Sequence, residues 1–308
     1  MRDTFVKTLI EEAKKNVNIE LVTGDLGFGV LKPYWEALSN QFTNAGIAEQ
    51  NMTTVAAGMA LEGKTVFTYS IGNFPTLRCL EQIRNDCAYH KANVKIVCVG
   101  GGLVYGSLGM SHHATEDIAV MRALPDVTVV CPGDLVEMKK ATKALANMPG
   151  TCYLRLGRGG EKQIHKEIPD FEIGKAIKIR EVAGKGKVAI FSTGGILDET
   201  SDACQTLCDK GFGIEQYSFH TVKPLDTGVV RSCAERCDYI VSVEEHNVQG
   251  GFGSAVAEVM AEHGGKAKLI RIGMQDCYCT KVGTQSYLRE QYQMNASSIV
   301  QKVMELDL

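Results

Sequence analysis

The chain has 308 residues, a length that suits two domains of ordinary size. Its formal net charge of −3 gives no basic face for nucleic acid, and its 44% hydrophobic residues exclude a disordered polar chain. No segment approaches the ~20 apolar residues of a membrane span, and the first residues lack the apolar core of a signal peptide. We therefore expect a cytoplasmic protein that binds a small molecule or another protein.

The eleven cysteines point to the same compartment. Their number is odd, and several lie inside apolar segments, such as Cys98 and Cys131. None of the close pairs forms a C-x2-C motif matched by a second one, which is the spacing typical of zinc sites. We expect reduced thiols in the core and no metal site in this chain.

The first half alternates short apolar runs with helical patterns. The predicted strands cover 20–25, 42–47, 65–70, 94–100, 127–133 and 152–157, and the predicted helices cover 3–16, 49–62, 77–90, 115–123 and 134–147. Strands that are almost continuously apolar and separated by helices are typical of a parallel sheet covered on both faces. The fold class is therefore α/β, with a mostly parallel sheet.

The apolar periodicity is lost after residue 157 and returns near residue 188. We place a linker at 166–187, between a domain at 1–165 and a second domain at 188–308. In the second domain the predicted strands cover 188–193, 214–219, 239–244 and 268–273, and the predicted helices cover 198–210, 226–236, 252–263 and 296–306. This alternation predicts another mostly parallel sheet with helices on both faces.

Glu49 lies between an apolar segment and a helix of small residues. A carboxylate in the first turn of a helix is stabilised by the helix dipole and the free N–H groups, so a purely structural role would explain it. Other features of the chain favour a catalytic role instead.

Three loops carry these features. Phe74 follows a predicted strand, where open α/β sheets bind ligands, although its ring could also cover the core. The glycine-rich segment 100–117 contains His112 and His113, and histidine transfers protons near neutral pH. The third loop, 250–254, fits either a phosphate-binding turn or a helix packed closely on a strand.

Taken together, these segments resemble the C-terminal half of transketolase along nearly the whole chain. Besides the Phe74 loop, the matching pieces are GDL (24–26), GIAEQNM (46–52), EQIRND (81–86), SHHATEDIAVMRALP (111–125), YLRLGRG (153–159), VKPLD (222–226) and VEEHNVQGGFGSAVAEV (243–259). The resemblance implies a pyrimidine-binding domain followed by a transketolase C-terminal domain. It implies an enzyme that uses thiamine diphosphate to move a two-carbon ketol unit from a ketose to an aldehyde.

The resemblance also assigns roles to individual residues. Glu49 matches the family acid that hydrogen-bonds the aminopyrimidine ring of the cofactor, and Phe74 matches the aromatic side chain that stacks on this ring. His112 matches a histidine that faces cofactor and substrate. The further contacts implied are, for the cofactor, Asp25 and Ile71 and, for the substrate, His113, Arg158 and Arg2.

The metal motif of the family is incomplete in this chain. Thiamine enzymes hold Mg²⁺ through a Gly-Asp-Gly motif and a later Asn, but here Leu26 replaces the second glycine and Asn51 belongs to the Glu49 motif. The resemblance therefore implies a split enzyme, in which a separate N-terminal subunit holds Mg²⁺ or Ca²⁺ and the diphosphate. Because the family shares its cofactor across a two-fold axis, we expect an α2β2 heterotetramer.

Departures from the family pattern leave the substrate open. Ser107-Leu108-Gly109 replaces a Glu-Asp-Gly sequence, glycine near 100 or 101 replaces a histidine, and Gly29 replaces a serine. A pocket that loses hydrogen-bonding groups selects different acceptors.

Other functions also stay open. One alternative is an activity like that of 1-deoxyxylulose-5-phosphate synthase, which the paired histidines favour and the split organisation does not. Another is the β subunit of a 2-oxoacid dehydrogenase, which the SHHATEDIA segment fits poorly. A third is a non-catalytic partner subunit, against which the presence of Glu49 counts.

Overall fold

A computed structural model describes residues 1–166 and 170–308, which form two β-sheets with helices packed against them. The helices are α1 (Arg2–Ala13), α2 (Phe28–Ala37), α3 (Glu49–Leu61), α4 (Leu80–Gln82), α5 (Asp117–Ala123), α6 (Leu135–Asn147), α7 (Leu197–Asp209), α8 (Thr227–Arg236), α9 (Phe252–His263), α10 (Gln285–Gln291) and α11 (Ala296–Met304). The strands are β1 (Ile19–Thr23), β2 (Phe42–Asn44), β3 (Thr65–Ile71), β4 (Val94–Val99), β5 (Val127–Val130), β6 (Thr151–Leu156), β7 (Ile177–Val182), β8 (Lys185–Thr193), β9 (Phe212–Ser218), β10 (Thr221–Lys223), β11 (Tyr239–Asn247) and β12 (Lys268–Met274).

The first sheet has the strand order β10-β5-β6-β4-β3-β1-β2. All its pairs are parallel except β10 with β5, which run antiparallel. Every residue of β1, β4 and β6 is buried, as expected for strands covered on both faces. The predicted mostly parallel sheet is confirmed.

Successive residues of these strands point into different cores. In β1, Leu21 packs with α1 residues such as Phe5, whereas Val22 packs with α3 residues such as Met52. The buried residues of α1 recur at helical spacing, and burying each large apolar side chain stabilises the fold by about 1.5–3 kcal/mol.

The second sheet has the strand order β12-β11-β8-β9-β7, and only β7 is antiparallel to its neighbour. One core cluster continues from the first sheet into the second, where it includes Phe191 and Phe252. The antiparallel strand β10 adds to this connection, because it follows β9 in the chain but pairs with β5 of the first sheet. The two domains therefore share both a core and a sheet edge.

The linker prediction needs a correction. Strand β7 and the start of β8 lie inside the predicted linker 166–187, and β7 forms the edge of the second sheet. As an edge strand, β7 leaves most of its residues partly or fully exposed, so its sequence lacks the apolar run that marks a buried strand. Residues 167–169 of that predicted linker lie outside the described residues.

Three further elements were not predicted: α2, α10 and the short strand β10. The helix predicted at 77–90 is irregular, with a 3₁₀ turn, the short α4 and a π-helical turn at Ile83–Ala88. All eleven cysteines are free thiols, and nine of them are buried. Within the described parts of the chain, no helix is both long and apolar enough to cross a bilayer.

Candidate active site

The predicted site residues of the first domain meet at one edge of its sheet. Strands β4, β3, β1 and β2 are neighbours, and the segments that follow them carry, respectively, the two histidines, Phe74, Asp25 and Glu49. The carboxyl ends of parallel strands lie at the same edge, which is where open α/β sheets bind ligands. Chain segments far apart in sequence are thus brought together by the strand order.

Glu49 is the first residue of α3, and it is only 4% exposed. Its Oε2 accepts a hydrogen bond from Nη1 of Arg78 at 2.8 Å. Among the described residues, Arg78 is the one group that hydrogen-bonds this carboxylate, and no helix N–H donates to it. The carboxylate benefits from the helix dipole but does not act as a cap, so its side chain is available for other chemistry.

Phe74 lies beside this ion pair. The guanidinium carbon of Arg78 is 4.6 Å from the centroid of the Phe74 ring, in a cation–π contact, and the ring is only partly buried. The ring of His112 meets it edge to face, with centroids 5.3 Å apart. The Phe74 ring is therefore partly accessible and lies beside Arg78 and His112.

The loop that carries the histidines is tied to the Phe74 loop. The side-chain amide of Asn73 donates to the backbone oxygen of His113, and a Cβ on Gly72 would lie 3.0 Å from the backbone oxygen of His112. Gly72 has a φ of +44°, so glycine is suited to this close approach both in conformation and in size. The two loops are therefore joined next to Phe74 and His112.

The two histidines differ in their surroundings. His112 is partly exposed, and its Nδ1 lies 3.0 Å from the hydroxyl of Ser111. His113 is 2% exposed, and neither of its ring nitrogens has a hydrogen-bond partner in the part of the chain that the structure describes. Burial lowers the pKa of His113, which favours the neutral form of its ring. His112 is the better placed of the two to reach a ligand.

Arg158 and Arg2 lie near Tyr105, a residue that the sequence motifs did not single out. The guanidinium carbon of Arg158 is 5.5 Å from the Tyr105 ring centroid, and the centroid of the His112 ring is 6.4 Å from it. Burial raises the pKa of Tyr105, and the charges of Arg158 and Arg2 partly oppose that effect. Both arginines therefore lie near Tyr105, Arg158 exposed and Arg2 partly so.

The room for Tyr105 comes from a glycine. A Cβ on Gly100 would overlap the Tyr105 ring, and Gly100 has a φ of +87°. At Gly101 a Cβ would instead meet the Arg155 side chain at 2.5 Å. The space beside Gly100 and Gly101 is thus filled by an aromatic ring and an arginine. An aromatic residue in a glycine-rich loop was the signal that could have identified Tyr105.

Asp25 and Ile71 complete the predicted set. Asp25 follows β1 with a φ of +56°, and it exchanges two hydrogen bonds with the side chain of Asn44. A Cβ on the preceding Gly24 would lie 3.6 Å from Cγ of Glu49, which places this turn next to the acid. Ile71 is the last residue of β3 and is partly buried.

The glycine loop at 250–254 does not offer an open helix end. The carboxylate of Glu244 accepts hydrogen bonds from the backbone N–H groups of Phe252 and Gly253, at 2.6 and 2.8 Å. A Cβ on Gly253 would lie 2.6 Å from the hydroxyl of Ser242 in β11. The glycines therefore serve close packing of a helix on a strand, and the phosphate-binding alternative is not supported. Across residues 1–166 and 170–308, no group of three or more metal-ligating side chains is found.

Two family models match the chain. One is described as the transketolase pyrimidine binding domain and covers residues 1–160, and the other is the transketolase C-terminal domain, covering 174–299. A solved structure described as “Split gene transketolase, inactive beta4 tetramer” is 31% identical, with a TM-score of 0.87, and the match covers 99% of this chain and 96% of that one.

Similar proteins of known name agree with this match. A Methanocaldococcus jannaschii protein, whose name describes a transketolase C-terminal section, is 37% identical over 99% of this chain and 95% of its own length. One of the subunits of the apulose-4-phosphate transketolase of Actinobacillus succinogenes is 32% identical over 100% of this chain and 98% of its own length. The 1-deoxy-D-xylulose-5-phosphate synthase of Chlorobium phaeovibrioides is 31% identical over 98% of this chain, which spans 47% of that enzyme.

Proposed function

This chain belongs to the transketolase family, and we propose that it is the subunit of a split transketolase that supplies the pyrimidine side of the cofactor site. In this proposal the assembled enzyme moves a two-carbon ketol unit from a ketose to an aldehyde. The observation that carries the proposal is the meeting of Glu49, Phe74 and His112 at one sheet edge.

The residues of this edge fit one end of thiamine diphosphate. Glu49 is a buried carboxylate whose partner Arg78 is exposed enough to move away, and Phe74 is a ring that protein packing leaves partly open. When bound, the cofactor supplies the nucleophilic carbon of ketol transfer. Glu49 would hold a proton at one of its Oε atoms or donate it to the aminopyrimidine ring, and Phe74 would orient that ring.

His112 and the two arginines are assigned to the substrate. The Nδ1 atom of His112 is engaged by Ser111, so its Nε2 is the atom that exchanges protons with a sugar hydroxyl or carbonyl. Arg158 and Arg2 offer positive charge to an anionic group. Leu108 and Met110, in the loop that carries His112, are exposed, which favours an acceptor with fewer hydroxyls at this point than an ordinary sugar phosphate.

The partner in this proposal is an N-terminal transketolase subunit that holds the diphosphate together with Mg²⁺ or Ca²⁺. Leu26, in place of the second glycine of the metal motif, supports this division of the site. The names of the similar proteins, one a C-terminal section and one a separate transketolase subunit, support it as well. A two-fold axis with one cofactor at each subunit pair gives an α2β2 assembly with two sites.

A Glu49→Gln substitution tests the catalytic role. In the enzyme reconstituted with its N-terminal subunit, thiamine diphosphate and Mg²⁺, we expect ketol transfer to fall by about 10²- to 10⁴-fold, because a positioned acid is lost. The control is Glu62→Gln, at the exposed C-terminal end of the same helix, which should keep wild-type activity. Equal rates for Glu49→Gln and the wild-type enzyme would refute the assignment.

A second candidate is an activity like that of 1-deoxyxylulose-5-phosphate synthase. The similarity to such an enzyme over 98% of this chain favours it. Supplying the reconstituted enzyme with pyruvate and an aldehyde separates the two, because only the synthase-like reaction releases CO2. If the enzyme releases CO2 and this release depends on Glu49, the synthase-like function is the correct assignment and ketol transfer is not.

A further inference from the structure

One side chain already occupies both contacts that the proposed function reserves for the cofactor ring. The guanidinium of Arg78 binds the carboxylate of Glu49 at 2.8 Å and covers the face of Phe74 at 4.6 Å. The guanidinium is planar and donates hydrogen bonds at its edge, and an aminopyrimidine is a planar ring that also has polar edges. The two groups therefore compete for the same acid and the same aromatic face.

We propose that Arg78 is an internal placeholder, which keeps Glu49 paired while the site is empty and must swing away when thiamine diphosphate binds. This inference rests on the proposed function, since it concerns the same site. Arg78 is a positioning residue here, because it acts on the state of Glu49 and on access to Phe74.

The need for such a partner follows from the burial of Glu49. The Glu49 side chain is 5% exposed, and leaving a buried charge without a partner is costly. Within the described chain, Arg78 supplies the hydrogen bond that this carboxylate receives from a side chain. Without Arg78, an empty site would favour rearrangement of the α3 N-terminus.

The backbone around Arg78 is held while its side chain is free to move. The side-chain amide of Gln50 donates to the Arg78 backbone oxygen at 3.1 Å, and the Arg78 N–H donates to the Asn73 backbone oxygen at 3.2 Å. The Arg78 side chain itself is 48% exposed. A rotation of this side chain into solvent therefore uncovers Glu49 and Phe74 without moving the loop that carries Phe74.

The competition lowers the apparent affinity for the cofactor. We call the protein open when the Arg78 side chain has left Glu49 and Phe74. If thiamine diphosphate binds only the open protein, its apparent dissociation constant is the intrinsic one divided by the fraction of protein that is open. In an Arg78→Met variant the long apolar stem remains, but the charge and the donors are lost. We expect this variant to bind thiamine diphosphate about 3- to 10-fold more tightly than the wild-type protein and to associate with it faster.

The experiment is calorimetric titration of thiamine diphosphate, in the presence of Mg²⁺, into this chain assembled with its N-terminal subunit. Stopped-flow measurement of the fluorescence of Trp35, the one tryptophan of this chain, gives the association rate. Arg78→Lys keeps the charge but not the planar contact with the ring, so its affinity should lie between those of Arg78→Met and the wild type. Arg84→Gln is the control, an exposed arginine nearby whose hydrogen bond is to Asn85, and it should bind like the wild type.

The possible outcomes separate this inference from the proposed function. If the wild-type assembly takes up no thiamine diphosphate, the proposed function fails. If the wild type binds but Arg78→Met binds equally or more weakly, the placeholder role is overturned, and weaker binding would assign Arg78 to the cofactor site itself. Circular dichroism and light scattering verify that each variant folds and assembles. If Arg78→Met does not fold, an Arg78→Lys affinity equal to or weaker than that of the wild type overturns the inference.

Discussion

At the scale of single residues, the buried charges of this protein position its histidine loop. Asp117 and Arg155 are both almost fully buried, with Nε of Arg155 2.7 Å from Oδ2 of Asp117. Nη2 of Arg155 also donates to the backbone oxygens of Ala114 and Glu245, at 2.9 and 3.0 Å. The pair therefore joins the end of the histidine loop to β6 and β11.

Replacing Asp117 with Asn should cost about 3–5 kcal/mol of unfolding free energy, because it leaves the buried Arg155 without its counter-charge. Burial alone would raise the pKa of Asp117, but Arg155 together with His246 and Tyr153 holds it below its usual range. Urea unfolding followed by circular dichroism measures the loss. Asp202→Asn breaks the exposed pair with Lys162 and should cost under about 1 kcal/mol. Similar losses for both variants would contradict a special role of the buried pair.

The residue scale also shows what the sequence could not reveal. Glu49 and Phe74 stand in recognisable motifs, and the structure places them within reach of one arginine. Nothing in the sequence distinguishes Arg78 from other exposed helix arginines, because its role depends on a contact 29 positions away. Long-range ion pairs of this kind arise from the strand order and not from local pattern.

At the scale of elements, prediction succeeded where burial is continuous. Strands such as β4 and β6 are buried on both faces, and their apolar runs identified them. Prediction failed for β7, which lies at an exposed edge of its sheet. It also failed for β10, whose three residues form a strand because the chain returns from the second domain to pair with β5 of the first sheet. The local sequence of these two strands carries little signal, since their partners are set by the tertiary fold.

A titratable cluster holds α6 against the segment that follows β6. Asp134 caps α6 and binds Nδ1 of His165 at 3.0 Å, while Nε2 of His165 lies 3.5 Å from Glu137. Burial raises the pKa of Glu137 to about 7, although His165 opposes this. Burial would lower the pKa of His165, but Asp134 and Glu137 raise it overall.

Both shifts make the fold less stable as pH rises. A group whose pKa is higher in the folded state binds its proton more tightly there, and this stabilisation is lost as pH rises through the folded pKa. Burial lowers the pKa of the nearby His220 to about 4, so it acts in the opposite direction, but only below about pH 6.5. Between pH 6.5 and 8 the Glu137 and His165 effects therefore dominate within this cluster.

We expect Glu137→Gln to remove part of this pH dependence and to raise the unfolding free energy at pH 8 by about 1 kcal/mol. The neutral amide keeps the shape of the side chain and can still accept the hydrogen bond from the Gly133 N–H. Urea unfolding at pH 6.5 and pH 8 gives the difference, with Glu62→Gln as the exposed control. An unchanged slope of stability against pH would show that Glu137 does not titrate in this range.

At the scale of the whole molecule, the candidate site lies on a surface that includes exposed apolar side chains. Ile47 is 81% exposed two residues before Glu49, and Leu77 is 41% exposed next to Arg78. Phe28 is 62% exposed at the start of α2. Apolar side chains grouped around a polar site are typical of surfaces that a partner covers. This surface is therefore where we expect the N-terminal subunit to bind.

The substitution Ile47→Asp tests that expectation. It places a charge beside the site edge without disturbing the core, so the isolated chain should unfold like the wild type. Its affinity for the N-terminal subunit should fall at least about 10-fold, because a few buried side chains contribute most of the binding energy of such interfaces. Val17→Asp is the matched control, since Val17 is 71% exposed but precedes β1, at the opposite edge of the first sheet. Light scattering of each variant mixed with the N-terminal subunit measures assembly. If Ile47→Asp assembles fully, or if Val17→Asp is equally impaired, the partner does not cover this edge, and the cofactor site would have to be completed in another way.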